Sequence, residues 1–147
     1  MLPYRADCSS FVSRAYHEGA GLSTASLYDA PSTRDMVPWG GAGLDPHYAY
    51  VAPTDIKPGD LVLYDTCPAS GSCAYRHVVM YLGTFGGQTW MVHTSACGDV
   101  AHVSAFWGFG GGGHAPFLVA RRVMPVAGDP AHVGPPTWTK AHPTVKP

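Results

Sequence analysis

Cys8, His77 and His93 are the residues whose types and surroundings could together carry a reaction. Cys8 follows Asp7, a good helix N-cap. It opens an apolar series in which Cys8, Phe11, Val12, Ala15 and Tyr16 recur at i, i+3, i+4, i+7 and i+8, one face of a helix. At a first helical position the unpaired N–H groups and the positive end of the helix dipole favour a thiolate, the form of cysteine that attacks a carbonyl. A cysteine there can equally be a small apolar residue at the start of a core face. The polar Asp7, Ser9 and Ser10 around it weigh for an accessible group. A nucleophile needs a base. His77 lies at the start of residues 75–83 (YRHVVMYLG) and His93 in residues 88–95 (QTWMVHTS), two strand-like runs with turn residues between them. Each histidine is eight residues from Phe85. A hairpin folded about Phe85 without a β-bulge therefore sets them directly opposite, with Cβ atoms about 4.5–5.5 Å apart. His93 would then hold the His77 imidazole in orientation and His77 would face Cys8, the layout of a Cys-His-polar triad. On spacing alone, two unrelated surface or core histidines fit as well.

The elements that must position these residues belong to one small domain. The chain has 147 residues, 46% of them apolar and 13% charged, with 18 Gly, 14 Pro and a net charge of −1. A typical domain is about 25% charged, and here Glu18 is the only Glu. Acid–base chemistry must therefore rest on Cys, His or Asp. The same counts exclude a coiled coil, which needs regular Glu, Lys, Ala and Leu, and a nucleic-acid binder, which needs a basic stripe. No Lys occurs between Lys57 and Lys140. No apolar run approaches the ~20 residues of a membrane span. The first residues do not lead into the apolar segment of a signal peptide, so export would rest on other means or on a leader outside these residues. Six of the prolines fall in residues 125–147, which reads as a linker or tail. Residues 1–124 read as the folded unit.

Within that unit, one N-terminal helix precedes a Gly-, Pro- and Ser-rich stretch over residues 22–58, with a short helix around 32–37. Strands are expected over residues 60–66 (DLVLYDT), 75–83, 88–95, 100–106 and 117–123, and residues 108–116 as a Gly-rich surface excursion. A helix followed by antiparallel strands is an α+β domain.

Several segments resemble one family in order. Asp7-Cys8-Ser9-Ser10-Phe11-Val12 resembles the D-C-S-x-hydrophobic-V motif of NlpC-type cell-wall cysteine peptidases. Ser32-Thr33-Arg34-Asp35 is loosely similar to their R-T-S-x-Q loop. Ile56-Lys57-Pro58-Gly59-Asp60-Leu61-Val62 is similar to L-x-P-G-D-L-V. His77-Val78-Val79-Met80-Tyr81-Leu82-Gly83 is similar to H-V-G-I-Y-L-G, and Met91-Val92-His93-Thr94 to F-I-H-A. The start of the chain looks most like actinobacterial and actinophage members. The resemblance implies a papain-like α+β fold, an N-terminal helix carrying the nucleophile and packed on an antiparallel sheet. It implies Cys8 as nucleophile, His77 as base and His93 as the orienting residue, with Asp7, Ser9 and Ser10 as oxyanion and support residues. Tyr4 and Arg34 are substrate-binding candidates. It also implies cleavage of amide bonds in peptidoglycan stem peptides, often at a γ-D-glutamyl or diaminopimelyl linkage. No cofactor or metal is needed. The protein would be a monomer that acts secreted or at the cell wall, or as a phage lysin released by a holin, with a wall-binding module beyond the tail. Only seven residues precede Cys8, whereas the family usually has a helix and a Tyr well before it. Ser10 replaces the family's Gly, and the His77-to-His93 spacing is long for the family.

Other readings use the same residues. Asp99 and His102 are alternative third members of the triad. Cys67, Cys73 and Cys97 with His77 and His93 could bind a structural zinc ion, although the spacing is irregular and lacks a C-x2-C knuckle. A Cys67–Cys73 disulfide and free thiols are the other two states. A papain-like amidase or acyltransferase would use the same triad, and a wall-binding module could keep the fold without the activity. His17, His47, His114, His132 and His142 read as surface residues. Trp39, Trp90 and Trp107 read as core, rim or glycan-stacking aromatics.

Overall fold

A computed structural model describes residues 5–6, 8–9, 11–12, 15–16, 33–36, 46–66, 76–94, 99–110 and 115–125. Among these, the architecture is mostly antiparallel sheet. Eight strands are present: β1 (Arg5–Ala6), β2 (Tyr48–Val51), β3 (Leu61–Tyr64), β4 (His77–Phe85), β5 (Gln88–His93), β6 (Asp99–Val100), β7 (His102–Ala105) and β8 (Phe117–Val123). Six of them form one sheet in the order β2-β8-β3-β4-β5-β7, and β1 pairs with β6 separately. Helical backbone is described at Cys8, Ser9, Phe11, Val12, Ala15 and Tyr16. The other residues of the expected N-terminal helix lie outside the described set, as do the Cys67–Cys73 loop, Cys97 and the tail beyond residue 125. The short helix expected near 32–37 is a 3-10 turn at Thr33–Met36.

The centre of the sheet explains its sequence. β3 is buried at every position, so its run Leu61-Val62-Leu63-Tyr64 is apolar on both faces rather than alternating. Leu61 and Leu63 join Val12, Met36, Tyr48, Val78, Val119 and Val123 on one face, and Cys8, Phe11 and Tyr16 pack against that cluster. Val62 and Tyr64 join Val51, Val79, Met91 and Ala120 on the other face, which is covered by Phe106, Trp107 and Phe109. The start of the Gly-rich segment at 108–116 is therefore a cover over the core and not a surface excursion. The Tyr64 hydroxyl donates to the Gly108 carbonyl at 2.8 Å, which holds it down. β2 was not expected. It is an edge strand with Ala49 and Tyr50 exposed, and edge strands carry a weak apolar pattern. His47, expected at the surface, is buried, and its carbonyl accepts from the Met124 N–H.

The Pro58-Gly59-Asp60 turn is an anchor. The Asp60 carboxylate accepts from the Lys57 N–H at 2.7 Å and from two nitrogens of Arg122 on β8 at 2.8 and 2.7 Å, while the Asp60 carbonyl accepts from the Tyr81 N–H on β4. One carboxylate thus ties the entrance of β3 to a neighbouring strand, and charge-assisted two-point pairs of this kind are the stronger ones. Asp60 is buried, so Asp60→Ala is expected to lower stability by about 2 kcal/mol or more, measured by urea denaturation.

The hairpin of β4 and β5 corrects the expected register. It turns on Gly86-Gly87, with φ of 61° and 76°, the two-residue turn that matches strand twist. Phe85 pairs with Gln88, Thr84 with Thr89 and Gly83 with Trp90, but Tyr81 then pairs with Met91 and Met80 with Val92. Leu82 is an extra residue, a β-bulge. Without it the ladder would set His93 level with Met80, on the sheet face away from His77, because a one-residue slip exchanges faces. With it, His93 falls level with Val79, two residues along on the same face as His77. The histidines are diagonal neighbours rather than directly opposite, and the bulge is what puts them on one face.

Candidate active site

His77 begins β4 opposite Tyr64 of β3, so its side chain enters the face lined by Tyr64 and Val79. Across the bulged hairpin, His77 Nε2 lies 2.9 Å from His93 Nδ1, with ring centroids 5.0 Å apart and nearly perpendicular planes. His93 in turn places Nε2 3.1 Å from Ser104 Oγ on β7. The indole of Trp107 closes over the pair, 5.4 Å from the His77 ring and 5.6 Å from the His93 ring. Tyr64 flanks the same indole. Sequence reasoning left Trp107 as core, rim or glycan platform. Its position just after β7, the strand paired with His93, is what brings it over both imidazoles.

Cys8 arrives from the other side of the sheet. Its thiol approaches the Arg76 carbonyl at 3.8 Å, one residue before His77. The Arg76 N–H donates to Thr33 Oγ1 at 3.3 Å, so the Thr33–Met36 turn and the Cys8 segment meet at the same point of the chain. Arg76 also pairs with Asp65 at 3.2 Å, beyond the end of β3. β1 pairs with β6, Arg5 opposite Val100 and Ala6 opposite Asp99. This ladder holds the backbone just before Cys8 to the segment that connects His93 with β7.

The remaining candidates are placed as follows. Ser9 is buried beside Cys8. Arg34 lies in the turn that Thr33 ties to Arg76. Tyr4, Asp7 and Ser10 lie outside the described residues. Asp99 is in β6 and His102 in β7. His102 pairs directly with His93, and the two ring centroids lie 4.4 Å apart with planes tilted by 54°. His102 is exposed, and its Nδ1 lies 3.3 Å from the Val100 carbonyl. Of the candidates for contact with His77, His93 is the one hydrogen-bonded to it. Among the described residues no group of three or more His, Cys, Asp or Glu side chains is arranged to hold a metal ion. Cys67, Cys73 and Cys97 fall outside them.

Burial chiefly, then the neighbouring His93 and His102, push the His77 pKa down to about 4. At pH 7 His77 is thus a neutral imidazole, able to accept a proton. In the unfolded chain a histidine titrates near 6.5. Between about 6.5 and 4 the unfolded state binds the proton and the folded state does not, so stability is full above 6.5 and is lost as pH falls toward 4. The expected loss approaches about 3 kcal/mol at the acid end. Urea denaturation from pH 7 to pH 4 measures it, and His77→Gln should flatten that dependence. The acid limb of kcat/KM, which reports the free base, is expected well below 6.5.

A search of curated proteins found no match for the chain. The sequence profile of the NlpC/P60 family matches residues 1–108, which include Cys8, both paired histidines, Ser104 and Trp107. On that match, the chain belongs to the NlpC/P60 family, whose papain-like members are generally cysteine peptidases or amidases acting on peptidoglycan.

Proposed function

We propose that this protein is a cysteine peptidase that hydrolyses amide bonds in peptidoglycan stem peptides, with Cys8 as nucleophile, His77 as base and His93 as its orienting partner. The observation that carries the reading is the 2.9 Å His77–His93 contact, formed where the Cys8 thiol reaches the residue before His77. Because His77 Nε2 is engaged by His93, Nδ1 is the nitrogen available to the reacting groups. It takes the Cys8 proton as the sulfur attacks the scissile carbonyl, then passes it to the leaving amine. Water hydrolyses the acyl-enzyme by the reverse route. The Cys8 main-chain N–H is the natural donor to the oxyanion, a contact typically worth about 10²–10³ in kcat. Asp7, Ser9 and Ser10 are the oxyanion and support residues of this reading, and Tyr4 and Arg34 its substrate-binding candidates. No cofactor enters these steps. The reading extends to a monomeric unit of residues 1–124 that works at the cell wall, in lysis or remodelling, and to a γ-D-glutamyl or diaminopimelyl linkage as the bond cut.

The test is mass spectrometry of muropeptides released from purified cell walls by the wild-type protein and by Cys8→Ala. New stem-peptide ends that appear only with the wild type support the peptidase reading. Release of whole stem peptides from the glycan makes the protein an amidase with the same triad. Equal products from both proteins remove Cys8 from the chemistry.

A further inference from the structure

The hydrogen-bonded series that starts at His77 does not stop at His93, because His93 Nε2 lies 3.1 Å from Ser104 Oγ. Ser104 is on β7 opposite Met91, two residues from His102 and on the same face. A serine hydroxyl can accept or donate, so the direction of the series is set by what His77 must do. To take a proton at Nδ1, neutral His77 must carry its hydrogen on Nε2 and donate it to His93 Nδ1. His93 must then be bare at Nδ1 and carry its own hydrogen on Nε2, directed at Ser104. When His77 holds the second proton, its Nε2–H is still the donor, so the same His93 tautomer serves both stages. The opposite direction is harmful. If Ser104 donates to His93 Nε2, His93 Nδ1–H donates to His77 Nε2, and the His77 hydrogen moves to Nδ1, where it blocks the base. The His102 ring lies against that of His93 with planes tilted by 54°, and its Nδ1 is 3.3 Å from the Val100 carbonyl.

We propose that Ser104 is a positioning residue: its Oγ accepts the Nε2–H of His93 and thereby holds the tautomer that keeps His77 free to act as base. The proposal rests on the reading of His77 as the base. At metal-bound histidines, the partners that fix the ring tautomer from the second nitrogen are typically worth about 10–100-fold, and the lower end of that range is the expectation here. Ser104→Ala is expected to lower kcat on a defined stem peptide by about tenfold with KM little changed, and Ser104→Thr, which keeps the hydroxyl, to restore it.

Nitrogen-15 NMR of labelled histidine gives a readout that a merely structural role would not move. In the wild type His93 should show a protonated Nε2 and a bare Nδ1, and so should Ser104→Thr. Ser104→Ala should show a mixture. A Ser104→Ala protein with the wild-type His93 tautomer and wild-type kcat overturns the proposal. Cys8→Ala, run alongside, separates the two levels. If it is inactive while Ser104→Ala matches the wild type, only the role of Ser104 fails. If Cys8→Ala hydrolyses the peptide at the wild-type rate, the reading beneath it fails.

Discussion

Cys8→Ala and His77→Ala are each expected to lower wall hydrolysis by about 10⁴-fold or more, and His93→Ala by distinctly less. The ranking follows from position in the chemistry. Without the sulfur no acyl-enzyme forms. Without His77 the proposed base, which takes the thiol proton and returns it to the leaving amine, is gone. Losing His93 leaves both reacting groups in place and removes only the contact at His77 Nε2. Groups that act as one unit are strongly non-additive, so the Cys8→Ala, His77→Ala double variant should be scarcely slower than either single one. Turbidity loss of purified walls gives the coarse ranking, and initial rates on a defined stem peptide give the factors. A Cys8→Ala protein with more than a few per cent of wild-type rate would contradict the nucleophile assignment.

Gly83→Val carries the second large effect, and it acts through the fold. Gly83 follows the bulged Leu82 with φ of 97°, a conformation that a β-branched residue resists strongly. A Cβ there would also sit 3.1 Å from Pro58 Cγ, in the turn that Asp60 fixes, so the neighbour has little freedom to yield. The variant has two outcomes. It keeps the bulge at a cost of roughly 2–4 kcal/mol, or it sheds the bulge and slips β4 against β5 by one residue. The slip carries His93 to the other face of the sheet and separates the imidazoles. Activity should fall at least a hundredfold in the second case, with loss of the His77–His93 signals in nitrogen-15 spectra. Gly86→Ala is the control. Its φ of 61° lies in the left-handed region that other residues tolerate at a cost of about 1 kcal/mol, and nothing lies within 4 Å of its Cβ position. It should lower stability modestly and leave the paired histidines and the activity intact.

The bulge also marks how far the amino-acid sequence can be read. The apolar runs of β3, β4, β5 and β8 are visible in the chain because burial on one or both faces writes itself into residue type. Cys8, His77 and His93 stand out because the residues around each resemble one family's motifs in the same order. That the two histidines share a face was legible in outline, but the route to it was not. A symmetrical hairpin about Phe85 and a bulged hairpin about Gly86-Gly87 both bring them together, and the residue types along the two strands do not choose between them. The places of Trp107, read only as a core, rim or glycan-stacking aromatic, and of Ser104, which was not singled out, were hidden for a related reason. Each acts on the histidines only because β7 pairs with β5, and strand pairing is a tertiary fact. β2 was missed because half of its side chains face solvent.

The place of β8 has a consequence for the protein's life on the ribosome. β8 lies between β2 and β3, yet follows every other strand among the described residues. It also supplies Arg122, the partner of Asp60. Synthesis proceeds from the N-terminus, so the hairpin of β4 and β5 can zip locally while the middle of the sheet waits for its last strand. The nascent chain then carries its thiol and imidazoles for some time before the sheet that aligns them is complete. Such late, long-range closure is slow, so the middle of the sheet is completed only after β8 has been made.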